Sequence, residues 1–521
     1  MALASPFESL LRAADRLQAP LPTATADLQA ELSSHVPTQF TLRDLTTGLA
    51  QPSFLGQRKH LLALLACFRS KGRIQPRPDD EDSIAELCDF AARSIAPVSR
   101  ETDSQDSGEE VDYDAVAKRS RDIGLYSLEI LQLASSEWSA NLSEQALLTI
   151  IAFSRRADGP WSTPGSAEIA KELLDEQLSR LNVHDFITEA VLKGYLRPLF
   201  SRSRPATVTA SGRKAEFADE VDPHRGLSQE TKEVKPWKYL DLRTIPVFDW
   251  AVFTADETLI SKQWPLFVPV ILTLLDDSAT RIRSRGLVIL EVFLGKFPDR
   301  VLRDTGLGSV FEDAVFPTLL YLPSLTPESE SVQLLEPAYA ALLTLAGKLQ
   351  DGAAKNKLLD KVLRDGIFAG YFHAREHVRI VEVLLRQTSL FVETMGIHAV
   401  KHLKDLMPIY SATMTDPFAT SHMPSLLSAV RALQTTISTC WPRIARTPWQ
   451  EEIIRILVLC WLNIQDAKVQ GSDDIIKAEL TKTANMLSAV ATQAGQEDFQ
   501  EKVAPLVAKE PLLSQLFPPR S

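Results

Sequence analysis

The sequence predicts an all-α protein built as a HEAT/armadillo-like helical repeat solenoid. Hydrophobic residues make up 45% of the chain but aromatic residues only 7%, and the apolar content is dominated by Leu and Ala, which favour helices. Apolar residues also recur at spacings of three and four almost throughout, which places them on one stripe of each helix. One clear succession of a helix, an Asp-containing turn and an Arg-bearing helix is followed along the chain by weaker copies of the same pattern.

Length and charge exclude several other classes of protein. The 521 residues, 24% of them charged, can bury a sizeable core in one long repeat array. The net charge of −11 repels a phosphate backbone, so we expect no direct role in nucleic-acid binding. Neither a secretory signal nor a run of about 18 apolar residues is found, so we expect no membrane span and a cytoplasmic and nuclear location.

The N-terminal half, residues 1–200, is predicted to be helical repeats interrupted by one acidic break at about 98–114. Residues 201–236 form a second polar stretch, which we interpret as a disordered linker or long loop. Neither stretch has enough apolar surface to offset the entropy lost on ordering. The C-terminal HEAT-repeat half is then predicted to span 237–521.

The clearest repeat pattern lies at the start of the C-terminal half. Trp264 and Pro265 open an apolar run, and Pro269 falls inside it, so Pro269 should kink the helix or mark its true start. The run ends at a turn in which an aspartate can accept hydrogen bonds from helix N-termini and pair with an arginine of the next helix. The residues predicted to form this repeat motif are Trp264, Pro265, Pro269, Asp276, Asp277, Arg281 and Arg283.

One string resembles a catalytic site. His373, Glu376 and His377 match the H-x-x-E-H pattern of inverted zinc peptidases, in which two histidines bind zinc and the glutamate activates water. The string continues into an ordinary amphipathic helix and lacks an evident third ligand, so a zinc peptidase is kept only as a remote alternative. We expect no enzymatic activity and no cofactor.

Two serines in the acidic break are candidate phosphosites. Ser107 has carboxylates at the second and third positions after it, and Ser104 lies in the same acidic context. Phosphorylation there would create a dense negative peptide suited to a basic pocket. A solvated linker is the simpler interpretation.

The segment from Lys235 onward resembles the Tti-two (Tel-two-interacting protein two) family. The resemblance rests on Trp250 and its neighbours, on the run from Trp264 to Asp277, on Phe316 to Pro323, and on His402 to Lys404. It covers roughly residues 235–440.

The resemblance implies a helical solenoid without catalytic activity that forms a subunit of the TTT co-chaperone complex. Its implied partners are Tti-one and Tel-two type subunits and the heat-shock-protein-ninety machinery, with phosphatidylinositol-3-kinase-related kinases as clients. Through those clients it would serve DNA-damage, telomere and growth (TOR) signalling. The alternative within the same fold is another HEAT-type adaptor or transport scaffold.

Overall fold

The computed structural model describes residues 6–17, 31–97, 113–155, 160–201, 203, 234–445, 448–467, 473–495 and 499–518. Over these residues the chain is helical with no β-strand, and a single isolated bridge joins Phe40 and Ile74. The prediction of an all-α, HEAT-like helical repeat is therefore confirmed. The chain divides into two compact units, Met1–Val270 and Ile271–Ser521.

The first unit contains a succession of helices of very different lengths, from 3 to 26 residues. They are α1 (Glu8–Arg16), α2 (Leu42–Gly48), α3 (Arg58–Arg69), α4 (Asp80–Ile95), α5 (Tyr113–Trp138), α6 (Glu144–Ser154), α7 (Pro164–Leu178), α8 (Val183–Asp185), α9 (Arg197–Phe200), α10 (Pro236–Tyr239) and α11 (Thr244–Thr254). A π-helix, Phe186–Leu196, joins α8 to α9, and 3₁₀ turns lie at Pro52–Phe54 and Lys71–Arg73. The next helix, α12 (Glu257–Leu275), contains the boundary between the units.

Polar caps begin several of these helices. At α2 the Thr41 hydroxyl accepts from the Asp44 amide at 3.1 Å, and the Asp44 carboxylate accepts from the Thr41 amide at 2.9 Å. Thr163 and Ser166 form the same reciprocal pair at α7. Each of these reciprocal pairs, called a capping box, accepts hydrogen bonds from two backbone amides that would otherwise have no partner at the start of the helix.

Buried polar groups join non-adjacent parts of the first unit. The buried Arg243 guanidinium donates to the Asp241 carboxylate at 2.7 Å and to the Thr149 hydroxyl on α6 at 2.9 Å. Burial alone would lower the pKa of Arg243, but the hydrogen bond and charge of Asp241 outweigh it and raise that pKa. Arg155 likewise reaches the fully buried Asp249 on α11 at 2.5 Å.

The second unit repeats a pair of helices. Its helices are α13 (Thr280–Lys296), α14 (Asp299–Thr305), α15 (Leu307–Val315), α16 (Glu328–Lys348), α17 (Gly352–Lys361), α18 (Ala369–Ala374), α19 (Val378–Met395), α20 (Leu403–Met414), α21 (Met423–Thr439), α22 (Trp441–Ile444), α23 (Trp449–Ala467), α24 (Asp473–Gln493) and α25 (Phe499–Lys509). A π-helix, Val362–Phe368, joins α17 to α18. Short 3₁₀ turns lie at Phe316–Leu320, Gly396–His402, Ala419–His422 and Pro511–Ser514.

The long helices α13, α16, α19, α21 and α24 pack side by side in that order. Polar side chains tie each to the next at similar intervals along the chain. The Ser284 hydroxyl donates to the Gln333 carbonyl at 3.0 Å, Ser389 and Thr435 lie 2.7 Å apart, and Gln434 donates to Thr483 at 3.1 Å. These bonds join residues 49, 46 and 49 positions apart, close to the period of about 40–47 residues that HEAT repeats have.

One glycine allows α13 to approach α12 closely. A β-carbon at Gly286 would lie 2.9 Å from the Leu274 β-carbon and 3.2 Å from the Leu274 carbonyl carbon. The contact is with backbone, which cannot move aside as a flexible side chain can. Gly295, on the same helix, has no atom within 4 Å of the equivalent position.

The α12 helix begins earlier than its prolines suggest. Both Pro265 and Pro269 lie inside Glu257–Leu275, so neither marks the helix start. A helix can pass through proline when tertiary packing compensates for the lost hydrogen bond.

By length and composition α12 could cross a membrane. However, 56% of its most apolar 18-residue stretch is buried inside the protein, as in the core helix of a soluble protein.

The predicted division at residues 201–236 stays a prediction. Residues 202 and 204–233 of that stretch lie outside the described residues, as do residues 98–112 of the acidic break, whereas Tyr113 and Asp114 begin α5. Trp237 stacks on Phe200 with ring centroids 5.0 Å apart, so both belong to the packing of the first unit.

The cysteines are core residues. Cys67, Cys88, Cys440 and Cys460 are buried and free. Burial raises the pKa of each thiol to about 12, because the thiolate is poorly solvated in the interior.

Candidate functional site

The turns that precede the long helices of the second unit form its candidate binding surface, which we call the turn edge. It consists of residues 276–279, 321–327, 375–377 and 415–422 together with the side chains that flank them. Each turn connects the first helix of a repeat to its second, and the second helices pack side by side. The turns therefore follow one another along one side of the second unit.

Contacts between successive turns support this alignment. The Thr280 hydroxyl bonds Glu330 at 2.5 Å, which links the starts of α13 and α16. His377 Nδ1 lies 3.8 Å from Glu328, linking α16 to α19. The Ser425 hydroxyl donates to the Val378 carbonyl at 2.6 Å, linking α19 to α21.

The first turn contains Asp277, one residue of the predicted repeat motif. Asp277 is buried, and its Oδ1 accepts from the Ala279 amide at 2.9 Å at the start of α13. Arg283 Nε donates to the Asp277 carbonyl at 3.1 Å, and the Arg283 guanidinium lies 4.6 Å from the centre of the Tyr321 ring. Arg283 thus joins the first turn to the second through a cation–π contact.

The other members of the motif lie next to that turn or on the helix that precedes it. Asp276 and Arg281 are exposed, whereas Trp264, Pro265 and Pro269 are half-buried on α12. Asp276, Asp277 and Arg283 thus meet at the turn, while the tryptophan and the prolines belong to the preceding helix.

Large apolar side chains are exposed on or beside the turns that follow. Leu325 is 93% exposed, Phe418 78% and Phe372 73%, and the nearby Leu320 and Val378 are exposed as well. Monomeric proteins rarely expose contiguous apolar surface unless it binds something. Helical periodicity does not single out these residues; a usable signal in the sequence is a Leu or Phe beside a turn-forming proline, as in Pro323–Leu325 and Pro417–Phe418.

The turn that holds Leu325 has an unusual backbone. Ser324 has φ of 97°, in a region that residues other than glycine rarely adopt. Such conformations cost on the order of 1–3 kcal/mol and concentrate at ligand-contacting sites. Here the strained residue directly precedes the most exposed leucine on the edge.

The candidate zinc string does not lie on one helix. His373 lies near the end of α18, Glu376 lies in the turn, and His377 is the N-cap of α19. The two histidines are therefore not one turn apart on a common helical face, as the motif requires. Across the described parts of the chain, no group of three or more His, Cys, Asp or Glu side chains could hold a metal ion.

The candidate phosphosites Ser104 and Ser107 lie outside the described residues. Their modification stays a prediction.

The fold defines a HEAT-type helical repeat protein, and the turn edge is its candidate binding surface. The sequence model of the Tti2 family matches residues 146–421, more than half of the chain. The chain therefore belongs to the Tti2 family. The matched segment contains all four turns of the edge except residue 422, the last residue of the fourth turn.

One relative is human TELO2-interacting protein 2, which is 21% identical over 387 residues; the match covers 72% of this chain and 69% of the relative. Among solved structures, Kap121p matches 99% of this chain with a TM-score of 0.47 and 13% identity. Kap121p bound to Pho4p matches 98% with a TM-score of 0.40 and 13% identity. The chain spans 45% and 48% of the lengths of these two structures.

Proposed function

We propose that this chain is a non-enzymatic adaptor subunit of a TTT complex, in which it binds Tti-one and Tel-two type subunits. With the heat-shock-protein-ninety machinery, the complex would support the maturation and stability of phosphatidylinositol-3-kinase-related kinases. The observation that carries the proposal is membership of the Tti2 family over residues 146–421. The human relative, whose name describes an interaction with TELO2, supports the same assignment.

The physical basis of the proposed activity is binding over a large surface. A helical repeat presents long rows of side chains on which another repeat protein can dock. A partner that binds only the folded form of a protein lowers its unfolded population by mass action. An adaptor can therefore raise the abundance of client kinases without chemistry of its own. The proposal places this activity in both the cytoplasm and the nucleus.

The test is affinity purification of the tagged chain from its own cells, followed by quantitative mass spectrometry. An unrelated tagged helical repeat protein from the same cells is the control. We expect Tti-one and Tel-two type subunits at near-stoichiometric levels with the chain only. Depletion of the chain should then lower the abundance of the client kinases, while their messenger RNA stays constant. Absence of both subunits from the purified material would contradict the proposal.

A further inference from the structure

The turn edge offers a row of apolar contacts spaced by the repeat. Leu325, Phe372 and Phe418 belong to successive repeats: Leu325 and Phe418 lie on the turn before the long helix, and Phe372 lies on α18 just before its turn. Packed helices lie about 8–10 Å apart, so the starts of successive long helices along the edge are separated by roughly that distance. A partner helix rises about 1.5 Å per residue, so its positions i, i+7 and i+14 recur at a matching interval of about 10 Å.

Unneutralised positive charges flank this row. Arg281, Arg375 and Arg379 are exposed, and none has a carboxylate within 4 Å among the residues that the structure describes. Arg375 and Arg379 bracket the exposed Val378 and follow the exposed Phe372 after three and seven residues. The guanidinium groups are therefore free to pair with a partner's carboxylates.

Most carboxylates of the edge already have partners. Glu330 bonds Thr280, Glu328 faces His377, and Asp416 accepts from the Phe418 amide at 2.9 Å. Asp276 and Asp277 also engage other groups. Glu376 is the remaining exposed carboxylate between the two arginines. The N-termini of the parallel long helices, which meet the same edge, add partial positive charge.

We propose that the turn edge binds one face of an acidic amphipathic helix supplied by a partner protein. The apolar residues of that helix would cover Leu325, Phe372 and Phe418, and its flanking carboxylates would pair with Arg375 and Arg379. This mode of recognition resembles the binding of an amphipathic helix in an apolar groove. The positive charge of the edge would favour helices with acidic flanks over helices with basic flanks. The inference rests on the proposed adaptor function for the existence of a partner, and it names the surface and the chemistry that partner would use.

The probes are two labelled synthetic helices with the same Leu and Phe positions, one with Glu and the other with Lys on the flanking positions. Each is titrated with the full chain, and fluorescence anisotropy reports binding. We expect saturable binding of the Glu peptide, about tenfold tighter than the Lys peptide at low salt. The difference should shrink as salt screens the exposed charges.

Variants of the chain locate the binding site. Leu325→Ser combined with Phe372→Ser should weaken the Glu peptide at least about tenfold. Arg375→Glu combined with Arg379→Glu should reverse the preference in favour of the Lys peptide. Leu181→Ser, which removes an exposed leucine of the first unit, is the matched control and should leave binding unchanged. Unfolding midpoints equal to wild type show that each variant is folded.

Three outcomes would overturn the inference: no saturable binding of the Glu peptide, equal binding of both peptides, or binding that the edge variants leave intact. Sedimentation that shows a dimer of the chain, dissociated by Leu325→Ser with Phe372→Ser, would assign the edge to a second copy instead. Each of these outcomes leaves the co-purification test untouched, so a wrong surface is distinguished from a wrong function.

Discussion

The two units differ in how their helices are held together. The first unit depends on buried polar groups at single positions, such as Arg243 with Asp241 and Arg155 with the fully buried Asp249. In the second unit a similar polar contact recurs from one long helix to the next, as between Ser389 and Thr435 and between Gln434 and Thr483.

The two units also differ in how many large apolar side chains they expose. In the described part of the first unit the large ones are Leu181, Leu240 and Phe253. The second unit has Leu320, Leu325, Phe372, Val378, Leu390, Ile397, Phe418, Leu459, Ile475 and Leu512. Exposed side chains such as Leu325 add little to the packing of the long helices, so they are available for binding. If the turn edge binds a partner as proposed, folding and binding in the second unit depend on different residues, and the first unit offers fewer such positions.

The largest expected effect comes from removing a buried partner in the first unit. Arg243→Ala leaves the Asp241 carboxylate without its guanidinium partner and should lower the free energy of unfolding by about 3–5 kcal/mol. The matched change in the second unit is Arg386→Ala, which breaks exposed pairs with Glu336 and Glu382 and should cost less than about 1 kcal/mol. Urea unfolding measures both, and equal losses would remove the contrast between the units.

The first unit should also lose stability in mild acid. His60 is buried against the Phe54 ring, with centroids 4.0 Å apart, and burial lowers its pKa to about 4, with a smaller contribution from Lys59. The unfolded chain has the ordinary pKa of about 6.5, so it binds more protons between these values. Stability should therefore fall by up to about 3 kcal/mol as the pH drops from 6.5 to 4.

Hydrogen exchange in α3 peptides follows this loss directly, with peptides of α19 as an internal reference. His60→Gln should flatten the pH dependence over that range. An unchanged dependence in the variant would show that another group is responsible.

Helix packing at the start of the second unit can be tested with two glycines on one helix. Gly286→Ala places a β-carbon against the Leu274 backbone and should destabilise by about 1–3 kcal/mol. Gly295→Ala meets open space and should be neutral or stabilise by up to about 1 kcal/mol, since alanine favours helices. Thermal unfolding midpoints that shift equally for both would contradict the close approach of α12 and α13.

The smallest effect is expected at the turn edge itself. Leu325→Ser and Phe372→Ser remove exposed side chains, so each should change the free energy of unfolding by no more than about 0.5 kcal/mol. A loss several times larger would mean that these residues support the fold, and the separation of folding from binding in the second unit would then be wrong.

Much of the fold could be predicted from the sequence because amphipathic periodicity is local. The apolar residues from Leu61 to Phe68, which recur at the helical spacing of three and four, lie in α3, and all of them are buried. The same spacing over residues 147–153 and 169–178 corresponds to α6 and α7. Family membership was also predictable, since the residues from Trp264 to Asp277 that suggested it lie inside the matched segment.

What the sequence could not predict depends on long-range packing. The start of α12 at Glu257 was missed because proline preferences favour a start near Pro265, whereas tertiary contacts maintain the helix through both prolines. The exposure of Leu325 and Phe372 was missed because a leucine or phenylalanine has the same local pattern whether or not a neighbour covers it. The separation of His373 from His377 depends on a helix break that the continuous pattern of the string concealed.

The central claim is that this member of the Tti2 family is an assembly subunit. The most direct test is reconstitution: the chain is co-expressed with Tti-one and Tel-two type subunits, and the mass of the eluted species is measured by size-exclusion chromatography with light scattering. The account predicts one stable species that contains all three proteins. Elution of this chain by itself, with the other two subunits folded and present, would contradict it.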